Sequence, residues 1–149
     1  MRDAIRLPDG KTLLAGRRIP GWVEFSSLVV YRLEADGALD TTFGSQGIFE
    51  LPLEQDVRHM ATSVTQDPDG RIVISGSRNE NLIVLRLLAD GTLDASFGEG
   101  GIFIGPLQDY DTRTFVERTA AAGYRVTTTG ETQCRIVGLT AAGTMDPSF

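Results

Sequence analysis

The chain has 149 residues, 41% of them hydrophobic and 23% charged, the balance of a globular domain rather than of a disordered or fibrous one. A formal net charge of −6, with Arg17-Arg18 as the only basic doublet, opposes a nucleic-acid partner, which needs basic clusters to displace counterions from phosphates. No run approaches the roughly 18 apolar residues that span a bilayer, and no basic segment leads into an apolar core at the N-terminus, so a soluble chain without membrane insertion or signal peptide is expected, its compartment unknown.

In chain order, residues 7–16 read LPDGKTLLAG, an Asp-Gly turn running into an apolar strand. An insertion carrying Ile19, Pro20, Trp22 and Phe25 leads to a β-branched strand, Leu28-Val29-Val30-Tyr31. Residues 35–49 then read ADGALDTTFGSQGIF. The order returns at once: a first strand near Ala61 to Gln66, the turn DPDG, a second strand Arg71 to Ser75, a third from Leu82 to Leu88, and a fourth from Gly101 to Leu107. Residues 89–103, ADGTLDASFGEGGIF, match 35–49 at ten of fifteen positions at an offset of 54. A decayed copy closes the chain, with AAAGYRVTTTG at 120–130, Arg135-Ile136-Val137, and AAGTMDPSF at 141–149. A fixed period of this length marks a radial or stacked array.

Leu82 to Leu85 are apolar on both alternations, so both faces of that strand must be covered. A four-stranded antiparallel sheet between copies of itself is a propeller blade. The expected fold is therefore an all-β β-propeller with blade units at about 1–53, 54–107 and 108–149, the last blade incomplete; a stacked solenoid is the alternative. Propellers usually close with four to eight blades. Head-to-tail pairing of two chains would give six, and the rival is that the chain is a piece of a longer array.

These blocks resemble the bacterial delta-60 repeat family, with units like D-G-K-I-x-x-x-G followed by R-L-x-x-D-G-x-L-D-x-x-F-G-x-x-G. The resemblance is strong in the first two copies, where Arg32-Leu33 and Arg86-Leu87 match. It is poor in the third, where Gly138 replaces the arginine and Ala122 and Ala142 replace turn aspartates. It implies a propeller-like fold and a bacterial, secreted or surface setting, and it implies no single activity.

Arg32 and Arg86 stand four residues before Asp36 and Asp90, and the third copy loses both members together, so a structural pairing is expected. Asp9, Asp69, Asp40 and Asp94 are alternative acceptors. Metal binding is not expected, because D-P-D-G offers two carboxylates around a stiff proline where calcium needs six or more oxygens. No cofactor is expected either. The connectors entering the first, axis-proximal strands carry Asp56, Arg58 and His59, and Asp109, Asp111 and Arg113, which would rim a central channel as a binding site. Trp22 and Phe25 form either a recognition loop or a lid on the core. His59 is read as a surface residue and Cys134 as a buried, inert thiol. No catalytic motif is present, so the expectation is a non-enzymatic binding or scaffolding module that self-associates and engages a protein or other ligand. The alternative is a six-bladed lactonase-type hydrolase or lyase with a channel metal.

Overall fold

The computed structural model describes residues 1–21, 25–106, 113–130 and 134–149, and every regular element among them is a strand. Strands β1 (Asp3–Arg6), β2 (Thr12–Arg18), β3 (Ser27–Leu33) and β4 (Ile48–Glu50) form a first sheet in that order. A second sheet holds β5 (His59–Gln66), β6 (Ile72–Arg78), β7 (Asn81–Leu87) and β8 (Ile102–Pro106), again in chain order. The third holds β9 (Arg113–Arg118), β10 (Tyr124–Thr129) and β11 (Cys134–Leu139). All pairings within the sheets are antiparallel.

The hairpins follow from local chemistry. At each Asp-Gly turn the aspartate accepts a bond from the backbone N–H two residues on, as Asp36 does from Ala38 and Asp90 from Thr92. Glycine follows in the left-handed region, which it enters without steric cost. In the third copy sequence matching puts Gly123 at this corner, but the bonds Thr119 N to Gly123 O and Ala122 N to Thr119 O put Ala122 there, at φ +62°. The third copy is therefore shifted by one residue at this turn and holds an alanine in a conformation it disfavours.

Sheet two explains its continuous apolar run by being covered twice. Ile72, Ile74, Ile83 and Leu85 pack against Leu13, Ala15, Leu28 and Val30 of sheet one. The alternate residues Val73, Leu82 and Val84 pack against Tyr124, Val126 and Leu139 of sheet three. The first strands bring the sheets together, since β5 touches β1 on one side and β9 on the other. Polar bonds stitch them: Asp3 accepts from Val64 N at 2.8 Å, and the Thr62 and Thr114 hydroxyls meet at 2.6 Å.

Candidate functional site

The most highly organised side chains lie where one sheet meets the next. Asp40 N donates to Arg32 O at 2.9 Å, which sets residue 40 opposite residue 32 across the hairpin. Arg32 Nε then donates to Asp40 Oδ2 at 2.6 Å, and its guanidinium lies 4.6 Å from the centre of the Phe43 ring. Its Nη1 crosses to the next sheet and donates to the carbonyl of Ala89. Beside it, Gly44 N donates to Asp90 O at 2.7 Å. The second joint repeats each part: Arg86 Nε to Asp94 Oδ2 at 2.8 Å, the guanidinium 4.8 Å from Phe97, Nη1 to Ala141 O at 2.5 Å, and Gly98 N to Ala142 O at 2.7 Å.

Arginine therefore pairs with the alternative acceptors and not with the nearest aspartates in sequence. Asp36 and Asp90 sit on exposed corners four residues on, turned toward their own backbone, whereas the antiparallel bridge of Leu33 with Leu39 folds Asp40 back under the arginine. Asp9 and Asp69 likewise accept from their own turns, from Lys11 N and Arg71 N. Burial disfavours charge on Asp40, but bonds from Lys11, Thr42 and Arg32 outweigh it and hold the carboxyl far below its usual range. Asp94 is shifted the same way, with Ser96 and Arg86 overcoming the burial. A second cation serves each: Lys11 Nζ is 2.7 Å from Asp40, and Arg71 Nε is 3.5 Å from Asp94.

Close approach at the joints depends on one turn position. A Cβ on Gly91 would stand 2.7 Å from Gly44 N and from the Phe43 ring, and one on Gly143 would stand 2.6 Å from Gly98 N. Gly37, their counterpart in sheet one, is likewise left-handed, at φ +89°, but is exposed. Among the described residues nothing lies within 4 Å of where its Cβ would be.

The outward face of sheet three is chemically different. Positions held by Leu13, Ala15, Leu28, Val30 and Arg32 in sheet one carry Arg125, Thr127, Cys134, Ile136 and Gly138. Arg125 pairs with Glu117 at 2.6 Å, while Phe115, Ile136 and Phe149 are more than half exposed. With no arginine side chain at 138, the Phe149 ring closes onto Gly138, within 2.3 Å of where a Cβ would be. Asp146 keeps its place and accepts from Ser148.

Of the residues expected to rim a channel, Asp56 and Arg58 are exposed on the connector before β5, and Arg113 is exposed at the start of β9. Asp109 and Asp111 lie outside the described residues, as does Trp22; Phe25 is half-buried. The surface reading of His59 is corrected: it opens β5 and is fully buried, because its backbone bonds Ser26 across the joint with sheet one. Burial depresses its pKa, and the nearest partner, Glu54, is 3.6 Å away. Cys134 is corrected too, being exposed on the outward face of sheet three, where no further sheet covers β11 among the described residues. Among the described residues no three His, Cys, Asp or Glu side chains are grouped to hold a metal ion.

Sequence reading missed Lys11 and Arg71 as second cations, although both follow the Asp-Gly turn in matching copies. It also missed Asp67, which accepts from the Tyr124 hydroxyl at 2.6 Å between sheets two and three; Leu7 at the equivalent place was the available signal. A family model described as a domain of unknown function (DUF5122) beta-propeller matches residues 7–43 and 68–97, spans that include both Arg-Asp-Phe groups. No curated protein and no solved structure matches the chain.

Proposed function

We propose that this chain is a non-enzymatic binding or scaffolding module of propeller blades, and that a second copy completes its three sheets to a six-bladed ring. The observation that carries the reading is the joint built twice in the same form, with a third acceptor turn, Ala35-Asp36-Gly37, open to another blade. The face behind that turn supports it. Leu14, Tyr31 and Leu33 are only half-buried there, while their counterparts Ile74, Leu85 and Leu87 in sheet two are fully buried. In a ring the partner would offer sheet three, so the seam would have Gly138 where the other joints have Arg32 and Arg86, and would rest on Phe115, Ile136 and Phe149.

Light scattering on the purified chain tests closure. The expected mass is twice 16.1 kDa, with Gly37→Ala shifting it toward the monomer. A monodisperse monomer for the unsubstituted protein at high micromolar concentration would remove the ring. A lactonase-type enzyme would instead need a channel metal, so metal analysis with a lactone and ester hydrolysis screen separates the two classes; metal-dependent turnover would overturn the binding reading.

A further inference from the structure

We propose that the Asp69-Gly70 corner is a modification site, where the backbone rearranges to isoaspartate without an enzyme, and that the joint spares the chemically equivalent Asp90-Gly91. Aspartate stands before glycine four times, at Asp9, Asp36, Asp69 and Asp90, so the dipeptide by itself selects none of them. Two of these corners belong to sheet two, which the chain itself covers on both faces. The reaction depends neither on ring closure nor on a binding role.

Water is the only co-reactant. The Gly70 amide nitrogen attacks Cγ of the protonated Asp69 carboxyl, a C–N bond forms, and the carboxyl hydroxyl leaves with the amide proton as water. The five-membered imide then takes water back at either carbonyl. Addition at the side-chain carbon restores aspartate, while addition at the main-chain carbon routes the backbone through the β-carbon with no net change in mass. For nitrogen and carbon to meet, the peptide plane between the two residues must turn and the carboxyl must leave its own hydrogen bonds.

Both motions are weakly opposed at Asp69. Its Oδ1 accepts from Arg71 N at a long 3.3 Å, and its ion pair with Arg71, at 3.1 Å, is nearly half exposed, where water weakens it. No backbone N–H among the described residues donates to Asp69 O, and a Cβ on Gly70 would meet only Ala89 Cβ, at 3.5 Å. Asp90 Oδ1 instead accepts from Thr92 N at 2.9 Å and from Thr92 Oγ1 at 2.7 Å. Those bonds hold its carboxyl below the usual range, which depletes the protonated form that reacts. Asp90 O is fixed by Gly44 N at 2.7 Å, the carbonyl of Ala89 by Arg32, and Gly91 is backed by the Phe43 ring. Turning that plane would break the backbone bond between sheets one and two. The Asp69 corner also carries Asp67, which bonds Tyr124, and Arg71, which stands beside Asp94, so an extra backbone carbon there would displace groups of the next joint.

The purified full chain is held for several weeks at neutral pH, digested with trypsin and mapped by electron-transfer dissociation, which tells isoaspartate from aspartate at equal mass. Peptides 59–71 and 87–113 carry the two corners. Isoaspartate at residue 69 should exceed that at residue 90 at least about tenfold, since a small misplacement of reacting atoms costs on the order of a hundredfold in rate. In concentrated urea the two should form at similar rates. Asp69→Glu, which would need a six-membered imide, should remove the signal from the first peptide. Equal formation in the folded chain, the same ratio in urea as in buffer, or a signal that survives Asp69→Glu would each overturn the site.

Discussion

Arg86→Met removes the guanidinium that joins sheets two and three but keeps an unbranched chain over Phe97. Arg86 is 3% exposed and Asp94 7%, so the substitution leaves a nearly buried carboxylate without its closest cation. Breaking a buried pair from one side costs about 3–5 kcal/mol. Asp94 retains bonds from Ser96 and a distant Arg71 at 3.5 Å, which places the expected loss near the lower end, about 3 kcal/mol. Arg32→Met is the internal control, because Asp40 keeps Lys11 at 2.7 Å and its loss should be nearer ~1 kcal/mol. Urea unfolding followed by far-UV circular dichroism measures both, provided the slopes with denaturant stay unchanged. Combining Arg86→Met with Asp94→Asn should recover part of the loss, since a lone buried charge is then no longer present. Equal costs for the two arginines, or a double variant as unstable as the sum of its parts, would refute the argument that a desolvated ion pair fastens the joint.

Gly91→Ala should be more destabilising than Gly37→Ala by at least ~1 kcal/mol in the monomer, because both strain a left-handed turn but only Gly91 has backbone and the Phe43 ring against it; thermal melts of the two variants compare them. Ala122→Gly should raise the melting temperature, since alanine there holds a φ of +62° that glycine takes freely. Stability should fall with acid in two stages. His59 has a depressed folded pKa, so below its unfolded value near 6.5 the unfolded chain binds the extra proton and stability declines as pH drops toward the folded pKa. Asp40 and Asp94 are also depressed, so their contribution is present above the unfolded carboxylate range near 3.8 and is lost as pH falls below it. Denaturant midpoints from pH 8 to 3 read the first stage and the onset of the second, and His59→Leu should flatten the first. Tyr124→Phe strips the hydroxyl from buried Asp67 and should cost about 1–3 kcal/mol in the same assay.

The repeat was legible from residues alone because turns and strands are local devices. Asp-Gly corners, β-branched runs and the spacing of Phe-Gly recur in the chain whatever packs against them, and they were enough to predict three alike antiparallel sheets. The double burial of Leu82 to Leu85 was legible for the same reason, since a strand that lacks polar alternation has no face to offer water. Partner choice was not. Asp36 and Asp40 are both within reach of Arg32 in sequence, and only the hairpin register turns one inward and the other to solvent.

The same limit applies to exposure. His59 stands in a polar stretch and Cys134 opens an apolar one, yet the joint between sheets one and two buries the first, and among the described residues no sheet packs on the flank of sheet three that bears the second. The pattern along the chain determined which residues form strands and corners, because those preferences act over a few bonds. Which carboxylate is charged and held, and which glycine must stay glycine, were decided by the stacking of one sheet on another, since burial and desolvation belong to pairs of surfaces that no local stretch contains.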